Sequence, residues 1–286
     1  MAIDLGRDRL FVAELGNDSV DVVDLRDGRV IKRITGLRSP QGVAYSKAGD
    51  LVLVSNAGDG TVRMFSASTL TPVGTIRLGD DADNMRVDPH DGTVVVGYGR
   101  GGLAIIDPVK RTKIATIPLP AHPEAFQIDP TTDIAYVNVP NARQIDVIDL
   151  ATRRQLATWT GFPASSNFPM VLDPASGLLA ALFWNPPRMV FLNRMTGKAT
   201  GILPICGDAD DVYSDQGRQR LYVSCGAGEI GVFQRHAGVF KASLPVRTAP
   251  GARTSLFVPE LDRLFVASRA ELLRAGAAIL VFRPQP

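Results

Sequence analysis

A fold made wholly of β-strands, seven copies of one four-stranded antiparallel unit in a single domain over residues 1–286, is predicted by three features of this sequence. Like segments recur at a near-constant step, strand-sized apolar runs alternate with Gly- and Pro-rich turns, and no stretch carries helical periodicity. The step is read from segments of two apolar residues followed by Asp-Pro or a close relative. These end at Asp4, Ser46, Asp88, Asp129, Asp173, Asp215 and Val258, separated by 42, 42, 41, 44, 42 and 43 residues. Each segment is the first strand of its unit. A turn follows, then a β-branched or aromatic second strand, as at Leu51-Val52-Leu53-Val54, Val94-Val95-Val96 and Leu221-Tyr222-Val223. The third strand alternates as half-buried strands do, as in Ile145-Asp146-Val147-Ile148-Asp149. The fourth is more polar, as in Lys113-Ile114-Ala115-Thr116-Ile117, and so suits an outer edge. Closing such units into a ring protects sheet edges, which makes the fold a seven-bladed β-propeller.

The repeat leaves one strand short. Only 28 residues follow Val258, enough for a second strand at Leu264 and a third at Ala278–Phe282 but not for a fourth. Met1 already lies in the first strand of blade one. Extra N-terminal residues that close the seventh blade are therefore expected, and they could include an export signal.

Leu53-Val54-Ser55-Asn56, Tyr136-Val137-Asn138 and Tyr222-Val223-Ser224, with Val23-Asp24-Leu25 and Ile148-Asp149-Leu150 ending third strands, resemble the YVTN family of bacterial β-propeller repeat proteins. The resemblance spans essentially the whole chain. It implies a seven-bladed propeller, commonly exported, that binds a ligand or partner, and it supplies no catalytic set.

Composition excludes several classes. Hydrophobic residues make up 45% and charged residues 21%, enough to bury a core. A net charge of +2 with scattered Lys and Arg gives no nucleic-acid footprint. No apolar run approaches the roughly 20 residues of a spanning helix, so membrane insertion is not expected. The first residues lack the basic and apolar regions of a signal peptide. A periplasmic or exported protein whose leader is absent from this sequence is expected, with a cytoplasmic one as the alternative, and a monomer in either case.

Counting five positions back from each marker gives the rim on which first strands begin. The ligand-binding candidates there are Gln41, Asp83, Asn84, Glu124, Asn167, Asp210, Asp211 and Arg253, an acidic set with one fixed cation. Phe168 takes the same position, and Arg38, Asp80, Asp81, His122 and Asp208 lie in nearby loops. The rim suits a small polar or cationic ligand or a protein partner, although polar rim residues also serve to bind water and satisfy strand ends. Asp83, Asn84, Glu124 and Asp210 offer oxygen ligands for calcium or another divalent cation. A metal-assisted hydrolase or lactonase is thus the alternative to a non-catalytic binding protein that uses no cofactor.

Other chemistry finds no motif. His90, His122 and His236 fall in separate turns, and Gly97-Tyr98-Gly99-Arg100-Gly101-Gly102 lacks the context of a phosphate loop and reads as a hairpin. No Gly-x-Ser-x-Gly elbow occurs. Trp184, Phe168 and Tyr98 could stack on bases, but an acidic rim opposes phosphate. Cys206 and Cys225 flank the first hairpin of blade six on the rim side. Two free thiols and a disulfide in an oxidising compartment are both open there.

Overall fold

The computed structural model describes residues 1–270 and 276–285. All of its strands belong to seven antiparallel sheets, and the fold is a seven-bladed β-propeller. The strands run in chain order: blade one holds β1 (Ala2–Asp4), β2 (Arg9–Glu14), β3 (Ser19–Asp24) and β4 (Val30–Ile34). Blade two holds β5 (Pro40–Ser46), β6 (Leu51–Asn56), β7 (Thr61–Ser66) and β8 (Pro72–Arg77). Blade three holds β9 (Ala82–Val87), β10 (Val94–Tyr98), β11 (Gly102–Asp107) and β12 (Thr112–Pro118). Blade four holds β13 (Phe126–Asp129), β14 (Ile134–Val139), β15 (Gln144–Asp149) and β16 (Arg154–Trp159). Blade five holds β17 (Ser165–Asp173), β18 (Leu178–Asn185), β19 (Pro187–Leu192) and β20 (Ala199–Pro204). Blade six holds β21 (Ala209–Asp215), β22 (Arg220–Cys225), β23 (Glu229–His236) and β24 (Val239–Ala242), with β25 (Val246–Arg247) also pairing with β23. Among the described residues blade seven has three, β26 (Ser255–Val258), β27 (Arg263–Ser268) and β28 (Ala278–Phe282). The four-stranded repeat and the short seventh blade are as the spacing predicts.

By contacts the chain divides into two compact units, residues 1–142 with 146–157 and residues 143–145 with 158–286. In the first unit, successive blades bury β-branched and aliphatic side chains against each other. Leu53, Val62 and Met64 of blade two pack with Val94, Val96 and Ala104 of blade three. In the second, Ala180 and Leu182 of blade five pack with Leu221 and Val223 of blade six.

The repeat markers have a physical job. Asp4, Asp88 and Asp129 are buried where the first strand ends, and each carboxylate accepts a backbone N–H two residues on, from Gly6, His90 and Thr131. Such Asx turns reverse the chain into the second strand. The same turns tie blade to blade. Arg7 bonds Asp4 and, 43 residues on, Asp50, each at 2.8 Å, while Gln216 bonds Asp173 at 2.7 Å and Arg218 bonds Asp262 at 2.8 Å.

The small polar residue that ends the second-strand motif has a matching role at the opposite strand end. Ser55 is fully buried, accepts the Gly42 N–H and donates to the Asp83 carbonyl of the next blade. Ser224, equally buried, meets Ser255 of the next blade at 2.7 Å. Either hydroxyl satisfies groups that water cannot reach.

Candidate functional site

The first strands are irregular where the sequence places its site candidates. Val96 pairs with Met85 but Tyr98 with Ala82, so Asp83 and Asn84 together oppose Gly97. The same extra residue puts Gln41 and Gly42 opposite Ser55 in β5, Phe168 and Pro169 opposite Leu182 in β17, and Asp210 beside Ala209 in β21. A bulge bends the strand and re-aims its side chains. Polar groups can therefore leave a strand whose remaining residues stay in the core.

In the first unit, this device gathers a cluster around His122. The β12–β13 connection, residues 119–125, is seven residues long against four for residues 78–81 before β9, and Pro120 and Pro123 stiffen it. His122 Nδ1 lies 2.6 Å from the Gly99 carbonyl and 3.6 Å from Asp81, and Nε2 faces Asp83 at 3.6 Å. The Gly99 N–H in turn donates to the backbone carbonyls of Asp80 and Asp81. The glycine-rich hairpin is thus the platform that fixes both sides of the cluster. Gly101 there has φ +152°, and a Cβ on it would lie 2.2 Å from the Leu119 carbonyl, so only glycine lets the histidine loop pass.

Asp83, His122 and Glu124, all half-buried, bring one ligand atom each to within 4.8 Å of one another. The Asp83 carboxylate, then the Gly99 carbonyl and Asp81, stabilise the imidazolium against the cost of burial and raise its pKa to about 9. His122 is a cation at neutral pH. Burial holds the Asp81 carboxyl above the ordinary range, an effect that the His122 charge opposes. Gln41 lies exposed on its own bulge in β5.

The second unit gathers a different set. Cys206, ahead of β21, is bonded to Cys225 at the end of β22, with Cα atoms 6.0 Å apart, so the pair is a disulfide. Next to it the Gly226 N–H donates to the Asp208 carbonyl at 2.8 Å. The Arg253 guanidinium pairs with the Asp208 carboxylate, lies 3.7 Å from Asp210, and stands over the Trp184 ring at 5.6 Å. Trp184 packs on Phe168 with ring centroids 4.1 Å apart and donates its Nε1–H to the Ala209 carbonyl. Asp211 accepts the Ser255 N–H at 2.7 Å, and the buried Asn167 amide donates to the Gln144 carbonyl at 3.0 Å. Of the four oxygen-ligand candidates, Asp83, Asn84 and Glu124 fall in the first unit and Asp210 in the second.

Sequence reasoning places His122 on the rim without making it the centre of a cluster. The signal available is the long, proline-flanked connection that carries it. The aromatic pair is visible as residues, but nothing in the sequence says that Trp184 is committed to Phe168 and Arg253.

No protein-family model and no curated protein sequence matches the chain. Solved structures do. A Kuenenia stuttgartiensis hydrazine synthase chain superposes with a TM-score of 0.84 at 17% identity, covering 99% of this chain and 94% of that one. A functionally unknown protein from Desulfotomaculum acetoxidans superposes at 0.77 and 13% identity, over 97% and 100%. A chain of a mitotic checkpoint complex superposes at 0.75 and 14% identity, over 88% and 78%. At these identities the likeness establishes the fold alone.

Proposed function

We propose that this chain is a non-catalytic binding propeller that captures a small polar ligand carrying a positive charge, or a basic group of a protein partner, at the rim of its first unit. The observation that carries this reading is the cluster itself: Asp81 and Asp83 from one blade and Glu124 from the next surround a single imidazolium in a half-buried setting. Carboxylates held apart by a rigid loop favour an ammonium or guanidinium group and repel phosphate. On this reading the protein uses no cofactor and binds as a monomer. A panel of small amines and guanidines, titrated by calorimetry, tests the reading. Binding should weaken at least tenfold in Asp83→Asn, and a panel with no binder, or a binder indifferent to that change, overturns it.

A second reading has its own observation. Asp83, His122 and Glu124 can converge on one ion, a nitrogen and oxygen donor set that suits zinc or manganese better than calcium. Such an ion would polarise a carbonyl or a water for hydrolysis. His122 must first lose its proton, so uptake should be stronger at pH 9 than at pH 7 and absent in His122→Gln. Metal analysis after zinc and calcium titration distinguishes the two readings. An exported, periplasmic setting is supported by the Cys206–Cys225 bond, since such bonds persist in oxidising compartments. Among the described residues no helix is long and apolar enough to cross a membrane.

A further inference from the structure

Between blades five and six, within the second unit, the outer strands leave an apolar groove that carries one cation. Leu178, Phe191 and Leu203 line it from blade five and Arg235, Val239 and Phe240 from blade six, around a volume of about 290 Å³. Both blades have a fourth strand, so finished sheets bound it. The sequence accounts for the opening. Gly201 stands opposite Phe191 in the β19–β20 ladder, and a Cβ there would come within 3.4 Å of the Phe191 ring. A glycine inside a strand leaves room for something to approach closely. β24, at four residues, is also the shortest of the six fourth strands and covers less of the sheet beside it.

The floor of the groove is a stacked aromatic pair, Phe191 and Phe240, with ring centroids 5.4 Å apart and planes 6° from parallel. Arg235 faces Phe240 across the β23–β24 ladder and holds its guanidinium 5.8 Å from the centroid of that ring. Among the described residues Arg235 makes no ion pair, and no Asp or Glu lines the groove. A half-buried guanidinium beside an apolar wall, with no carboxylate of its own, is matched by an anion that brings its own apolar surface. The groove of about 300 Å³ between blades one and two differs in this respect. There Arg33 bonds Asp21 at 2.6 Å, Arg63 lies 3.3 Å from Asp59, and the third cation, Lys32, is exposed.

We propose that the groove between blades five and six binds a small monocarboxylate with an aromatic or branched apolar body. The planar fork of Arg235 takes both carboxylate oxygens, and the body lies on Phe191 and Phe240. The volume sets the size. A cavity of about 150 Å³ holds benzene, so this groove holds a ring together with a short acid chain. A phosphate monoester fits less well, because its second charge would face an apolar wall with no second cation. The ligand is opposite in sign to the one proposed for the rim of the first unit, so the two readings stand or fall separately.

The test uses the whole chain with isotope-labelled Ile, Leu and Val methyl groups, titrated with phenylpropanoate and, as controls, with phenylpropanamide and phenylpropylamine. The carboxylate should shift the methyl signals of Ile202, Leu203 and Val239 saturably, with a dissociation constant of about 1 mM or less, ordinary for a ligand of its size. The neutral amide and the amine should leave those signals in place. Arg235→Gln should weaken binding at least fivefold, and Arg235→Lys should restore part of it. Ile202→Glu sets a carboxylate in the groove at a position already 46% exposed, and should weaken binding at least as much with the melting temperature unchanged. The absence of a saturable shift at millimolar carboxylate, equal shifts with the amide or the amine, or unchanged affinity in Arg235→Gln or Ile202→Glu overturns the proposal.

Discussion

The two rim clusters solve the same problem, holding charge at the ends of inner strands, by opposite means. In the first unit an imidazolium sits among carboxylates on a loop anchored by hydrogen bonds to a glycine hairpin and to the Asn138 backbone. In the second a guanidinium stands on a tryptophan beside loops closed by a covalent bond. One cluster is therefore tunable by pH and by any cation that competes with His122. The other is insensitive to pH near neutrality, since an arginine keeps its charge there, and depends instead on the disulfide. The fold gives both the same bulged strands, so the difference lies in the loops.

The sharpest way to separate them is to remove the covalent bond. Closing a loop between Cys206 and Cys225, 19 residues apart, is worth about 3 kcal/mol in the chain-entropy model. The double variant Cys206→Ser/Cys225→Ser should lose about that much in denaturant unfolding, with hydrogen-exchange protection falling in residues 206–226. Equal loss around His122 would show that the two clusters do not behave independently.

The matching change in the first unit is Gly101→Ala. Both its backbone conformation and the Leu119 carbonyl resist a side chain, and forcing one in should cost about 1–3 kcal/mol. The His122 imidazole should then titrate nearer the free value of about 6.5, as read by proton NMR. A variant that folds and leaves the His122 titration where it was would show that the hairpin does not position the cluster.

The pH dependence follows with a definite sign. The folded-state pKa of His122, about 9, lies above the unfolded value of about 6.5. Its contribution to stability is fully present below pH 6.5 and is lost as pH rises toward 9. Thermal melts of the wild type should show a decline across that window, and His122→Gln should flatten it. Carboxylates ordinarily titrate well below this window, and any decline that persists in His122→Gln belongs to another group, such as the α-amine.

These contrasts also show what the sequence makes legible. The marker aspartates Asp4, Asp88 and Asp129 recur because each closes a turn by accepting a backbone N–H, a local requirement met afresh within its own blade. Ser55 and Ser224 each satisfy polar groups at their own blade junction, whereas Gly97 and Leu182 hold the same register position in blades three and five. Counting back from those markers reaches Gln41, Asp83, Phe168 and Asp210 because the bulges keep a fixed offset from them. His122 and Trp184 escape the same reasoning. Their roles depend on contacts with Gly99, 23 residues away, and Ala209, 25 residues away, that no repeat unit shares. A period reports what every blade needs and is silent on what one loop does alone.

The smallest effect expected is at the cation of the second cluster. Arg253→Lys keeps the charge beside Asp208 and Asp210 but gives up the flat guanidinium face over Trp184. A partly exposed cation–π contact is worth about 0.5–1 kcal/mol, and ion pairs at such exposure add little more. The loss should therefore stay near ~1 kcal/mol, with a shift in Trp184 fluorescence as the ring loses its neighbour. Adding salt should diminish the ion-pair part in both proteins and leave the fluorescence difference in place. A larger loss, comparable with that of the disulfide variant, would mean that Arg253 and not the covalent bond organises this rim.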